Sequence, residues 1–117
     1  MLTELGKILR KIRIDQDEIL KDMAAKLQVT VAYLSAVENG KREVPDEWIP
    51  EIIEQYSLTE EEAEELKDAA FSSKKSIKIK LDEESERNRD LVLAFARRFR
   101  ELDEQDFSAM KKILEKE

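Results

Sequence analysis

Apolar residues in the first part of the chain recur at helical spacing. Leu2, Leu5, Ile8, Leu9 and Ile12 form one stripe over residues 2 to 14, with Lys7, Arg10, Lys11 and Arg13 on the remaining surface. The polar run Asp15-Gln16-Asp17-Glu18 interrupts this helix, and a second, short one carries Leu20, Met23, Ala24 and Leu27 before a turn at Gln28-Val29. Thr30 stands where its hydroxyl caps a third helix, with Leu34 and Val37 inside and Asn39-Gly40 as its stop. A fourth helix follows Val44-Pro45 and buries Trp48, Ile49, Ile52, Ile53 and Tyr56, with Pro50 confined to its first turn. Thr59-Glu60-Glu61-Glu62 matches a capping box and opens a fifth helix through Ala63, Leu66, Ala69 and Ala70.

The pattern changes after residue 71. Residues 72–76, Ser-Ser-Lys-Lys-Ser, have the small polar composition of a linker, which separates a first domain, 1–71, from a segment 77–117. Within that segment Ile77-Lys78-Ile79-Lys80-Leu81 alternates with period two, the pattern of a strand with one apolar face. One strand cannot satisfy its own backbone groups, so antiparallel pairing with the same strand of a second copy is expected. Residues 84 to 102 predict a helix bearing Leu91, Val92, Phe95, Phe99 and Leu102, and Asp103 caps a last one with Phe107, Met110, Ile113 and Leu114 inside. About 40 residues cannot close a large core alone. Ile77, Ile79, Leu81, Leu91, Phe95, Phe99 and Leu102 are therefore the expected dimerisation residues.

Composition narrows the function. The 117 residues are 42% charged, with 2 Gly and 2 Pro, which fits a mainly α protein of one domain plus an appendage. Neither His nor Cys occurs, so the imidazole base, the thiol nucleophile and the usual structural zinc ligands are missing. With 28 acidic residues, chance pairs of carboxylates are expected and do not by themselves indicate catalysis. The reading is no enzyme, no cofactor and no metal. The absence of an apolar run of membrane-spanning length or a signal peptide predicts a cytoplasmic protein without a membrane partner. A net charge of −7 argues against nucleic acid until it is divided along the chain. Residues 1–45 hold 8 Lys/Arg and 7 Asp/Glu, residues 46–73 hold 1 and 10, and residues 74–117 hold 12 and 11, so the deficit is in the middle.

The segment from Met23 to Arg42, MAAKLQVTVAYLSAVENGKR, resembles the helix-turn-helix of the XRE family, the Cro and lambda-repressor type. Ala24 is small where two helices cross, Val29 plugs the turn, and Leu34 and Val37 lock the second helix to the first. Leu5-Gly6-Lys7-Ile8-Leu9-Arg10 before it and Pro45-Asp46 after it also fit, so the resemblance covers residues 3 to 70. It implies a five-helix lambda-repressor-like domain whose third helix enters the major groove of double-stranded DNA, usually as a dimer on two half-sites. Carried over by position, Thr30, Val31, Ala32, Tyr33, Ser35 and Ala36 face DNA, and Lys41 and Arg42 follow where the helix end meets phosphates. Arg10 and Glu38 correspond to an ion pair that joins the first helix to the end of the third.

Two departures qualify that picture. Val31, Ala32 and Ala36 have no hydrogen-bonding side chain, which leaves thymine methyls and DNA shape as the means of discrimination. Leu20 stands where the family commonly has a Gln that anchors the DNA backbone. The function expected is a homodimeric repressor on an inverted-repeat operator. Its rivals are an antitoxin whose C-terminal portion neutralises a toxin, and a helix-turn-helix module given over to binding another regulatory protein.

Overall fold

The structure is a computed structural model and describes residues 1–116. These form seven α-helices and one 3-10 turn. Thr3 caps α1 (Glu4–Asp15), its hydroxyl accepting from the Gly6 N–H at 3.0 Å. α2 (Leu20–Lys26) and α3 (Val31–Glu38) are joined by a tight turn in which Gln28 takes a left-handed backbone (φ 59) and the Val29 N–H donates to the Ala24 carbonyl. Thr30 caps α3 by accepting from the Tyr33 N–H at 3.0 Å, and Gly40 leaves the helix at φ +74. α4 (Trp48–Gln55) has Pro50 in its first turn, where no intrahelical donor is lost. Thr59 and Glu62 close the capping box of α5 (Glu60–Ser72).

The chain forms two compact units, Met1–Ile77 and Lys78–Glu117. In the first unit the apolar stripes meet in one core: Leu5, Leu9 and Ile12 of α1, Met23 and Ala24 of α2, Leu34 and Val37 of α3, Trp48 and Ile52 of α4, and Leu66 and Ala70 of α5. Each fully buried aliphatic side chain stabilises this arrangement by on the order of 1.5–3 kcal/mol. Val44, between α3 and α4, joins the core without belonging to any helical stripe. The stretch read as a linker begins as helix. α5 runs through Ser72, and Ser73 ends it by donating its hydroxyl to the Ala70 carbonyl at 2.7 Å.

The second unit holds α6 (Glu86–Arg98), a 3-10 turn (Phe99–Glu101) and α7 (Glu104–Leu114). Two expectations change here. No strand forms among the described residues, and 77–81 lies outside regular structure with Ile77 and Ile79 well exposed. A single chain offers that segment no ladder partner, and period-two alternation cannot create one. The helix expected over 84 to 102 ends at Arg98, because the chain tightens into the 3-10 turn and Leu102 becomes extended (ψ 132) to present Asp103 as the cap of α7. That cap does form, with Asp103 accepting from the Asp106 N–H at 2.8 Å.

No residue of these last helices is buried. Leu91, Phe95 and Phe99 occupy one helical stripe, with the two Phe rings stacked at 5.6 Å, yet all three are exposed; on α7 Phe107, Ile113 and Leu114 are exposed as well.

Candidate nucleic-acid interface

α3 and the loop after it carry the residues that sequence reasoning singled out. Leu34, Val37 and Glu38 are buried, so the helix shows its other side. Val31 and Ala32 are exposed in the first turn, and Ser35 and Ala36 stand half-buried one turn on, which puts these four on one strip. Thr30 is exposed and has its hydroxyl engaged in the cap.

Tyr33 lies apart from that strip. Its ring packs against Trp48, centroids 5.6 Å apart, and the Arg42 guanidinium sits 4.4 Å above the ring centroid. The loop carrying Lys41 and Arg42 is fixed by backbone bonds, since the Ala36 carbonyl accepts from both their N–H groups, at 2.8 and 3.3 Å. Both side chains are exposed, and neither has a carboxylate partner among the described residues. Two unneutralised cations therefore follow directly on the exposed helix.

The ion pair that ties α1 to α3 uses a different arginine from the one expected. Arg10 is exposed, and Arg13 makes the bidentate pair with Glu38, the second bond at 3.2 Å; both residues are buried, at 6% and 4% exposure. Helical geometry explains the choice, because Arg13 lies four residues beyond Leu9 on the buried stripe, while Arg10 projects from the solvent side. Glu38 closes α3, where the helix dipole disfavours a carboxylate, and the guanidinium offsets that cost. The signal was present in the sequence as an arginine in register with the apolar stripe.

The same corner holds a second cluster. Glu18 pairs with Lys26 and accepts from the Tyr56 hydroxyl at 2.6 Å, tying the start of α2 to the end of α4. Burial pulls the Glu18 carboxyl upward, but the hydrogen bonds from Lys26 and Tyr56 outweigh it and hold the carboxyl below its ordinary value of 4.5. Burial, then the bond to Glu18, pushes the Tyr56 phenol upward. A carboxylate lowered by folding stabilises the folded state above the unfolded value, and this contribution is lost as pH falls through the folded one. Thermal melts of Glu18→Gln are therefore expected to decline less than the parent's from pH 5 downward; parallel declines would contradict this role.

At the start of α2 the Asp22 carboxylate accepts from the Ile19 N–H at 2.8 Å, placing a negative charge there. Leu20 is half-buried, and Ile14 and Ile19 are 64% and 65% exposed on a groove of about 390 Å³ also lined by Leu2 and Ser35. No group of three or more acidic residues placed to hold a metal ion occurs among the described residues, and no helix there is long and apolar enough to cross a membrane. Compared with protein-family models, curated proteins and solved structures, the chain finds no match in any of the three.

Proposed function

We propose that the chain is a sequence-specific, double-stranded-DNA-binding transcriptional regulator of the helix-turn-helix type, resembling Cro and lambda repressor, and that it acts as a homodimeric repressor. α2 and α3 form the helix-turn-helix of a five-helix domain, α3 enters the major groove, and Val31 and Ala32 meet thymine methyls. The carrying observation is the strip of α3 led by exposed Val31 and Ala32 and followed at once by Lys41 and Arg42, two cations held by the backbone and paired with no carboxylate among the described residues. Residues 77–117 join two copies. The support for that step is an apolar stripe of Leu91, Phe95 and Phe99 that its own unit leaves exposed, together with Ile77 and Ile79. Ile77, Ile79 and Leu81 pair across the two-fold axis, Leu102 completes the contact, and occupancy of an inverted repeat blocks a promoter.

Lys41→Glu with Arg42→Glu tests the placement. At about 0.1 M salt the double variant is expected to bind duplex about 10- to 100-fold more weakly than the parent, with a shallower salt dependence and an unchanged melting temperature. Equal affinity in moderate salt would remove these residues from the interface.

One observation favours a second reading, a module that binds another protein. The groove lined by exposed Ile14 and Ile19 with Leu2 and Leu20 offers apolar surface to a partner protein, and Arg10 at its edge offers that partner a charge. Under that reading duplex binding is absent at low salt.

A further inference from the structure

We infer that Tyr33 is a positioning residue that acts on DNA through Arg42, and that it reads no base itself. The inference rests on the DNA-binding reading above and adds a role for the ring. Arg42 is pinned at two ends, its backbone N–H by the Ala36 carbonyl at 3.3 Å and its guanidinium by the Tyr33 ring at 4.4 Å. Tyr33 is held in turn by Trp48, which is 3% exposed at the head of α4. The core thus reaches an exposed cation through two aromatic rings.

The kind of restraint matters as much as its presence. Arg13 is fixed by Glu38, and Lys26 by Glu18, and each carboxylate cancels the charge it holds. An aromatic ring attracts a guanidinium through its quadrupole and carries no net charge, so Arg42 is ordered with its full positive charge available to a phosphate. Ordering before binding removes part of the rotamer cost of a long side chain. Tyr33 is half-buried and engaged by Arg42 and Trp48, whereas Val31 and Ala32 are the exposed residues of the α3 strip. The ring positions the cation and the hydroxyl is dispensable.

The test titrates duplex DNA across a salt series with the parent, Tyr33→Phe, Tyr33→Leu, Arg42→Ala, and the combination of the last two. Tyr33→Phe is expected to match the parent in affinity, salt dependence and base preference. Tyr33→Leu is expected to bind about three- to tenfold more weakly and to lose part of the salt slope that Arg42→Ala loses, about 0.9 per phosphate contact. In the Arg42→Ala background the Tyr33→Leu change is expected to add nothing, which separates positioning from general damage to the fold. Arg42→Lys, a surface change, keeps the charge without the broad planar cation and is expected to lose affinity in part. A Tyr33→Phe variant with altered base preference, an Arg42→Lys variant with full affinity, or Tyr33→Leu and Arg42→Ala effects that multiply would overturn the inference alone. A parent that binds no duplex overturns the DNA reading and this inference with it.

Discussion

Glu38→Ala is expected to destabilise the folded chain by about 3–5 kcal/mol, because it leaves the Arg13 guanidinium buried without its counter-charge. A domain of this size has about 5–15 kcal/mol in total, so the variant is expected to melt at least about 12 °C lower, at roughly 4–8 °C per kcal/mol. Arg13→Met is expected to cost a similar amount by stranding the carboxylate at the negative end of α3. The double replacement Arg13→Met with Glu38→Leu removes both charges and is expected to recover most of the loss, since a buried pair adds little net stability over apolar residues of similar volume. Arg10→Met, on the exposed side of the same helix, is expected to change stability by less than about 0.5 kcal/mol. Denaturant titration of the four variants checks the set. An Arg10→Met cost equal to that of Arg13→Met would contradict the assignment.

Gly6→Ala is the second large effect, and here two principles predict opposite signs. Helix propensity alone favours Ala over Gly by about 1 kcal/mol at an interior position. The structure puts a Cβ at Gly6 only 2.2 Å from the Glu38 carbonyl oxygen, a backbone atom with no rotamer to escape into. That oxygen already accepts from the Thr3 N–H at 3.0 Å and the Thr3 hydroxyl at 3.1 Å, so the start of α1 and the end of α3 are clamped together. Relief requires the helices to separate, which breaks the clamp and strains the Arg13–Glu38 pair. Overpacking of this kind costs about 1–3 kcal/mol and sometimes more, enough to outweigh the gain in propensity. The net expectation is a loss of about 2 kcal/mol by thermal or denaturant melting. A more stable Gly6→Ala variant would show that the close approach does not exist.

What was legible in the sequence was local. The caps at Thr30, Thr59 and Asp103 require only a hydroxyl or carboxylate three residues before an amide, and all three form. The stripes of α1, α4 and α5 supply Leu5, Leu9, Ile12, Trp48, Ile52, Leu66 and Ala70 to the core, with Ile8, Ile49, Ile53 and Ala69 packed partly buried against it. Less legible was anything that depends on a partner element. Arg13 stands in register with the apolar stripe of α1, but its partner is evident only once α3 supplies Glu38 opposite it. The alternation at Ile77 to Leu81 has the form of a strand, but a ladder needs a second strand, and the described residues of one chain contain none. The platform of Tyr33, Trp48 and Arg42 joins residues nine and fifteen positions from the first, and only the folded chain brings the two rings and the guanidinium together. Val31, Ala32, Ser35 and Ala36 do share one strip, as their spacing implies, whereas Tyr33 faces another way.

If this chain reads duplex DNA as a pair of α3 helices, it will select its own operator from a mixture. Selection of bound sites from a random duplex library at two salt concentrations therefore tests the proposal with no operator chosen in advance. The expected result is recovery of an inverted repeat with half-sites about one DNA turn apart, and affinity that falls steeply as salt rises. Recovery of no preferred sequence at either salt concentration would contradict it.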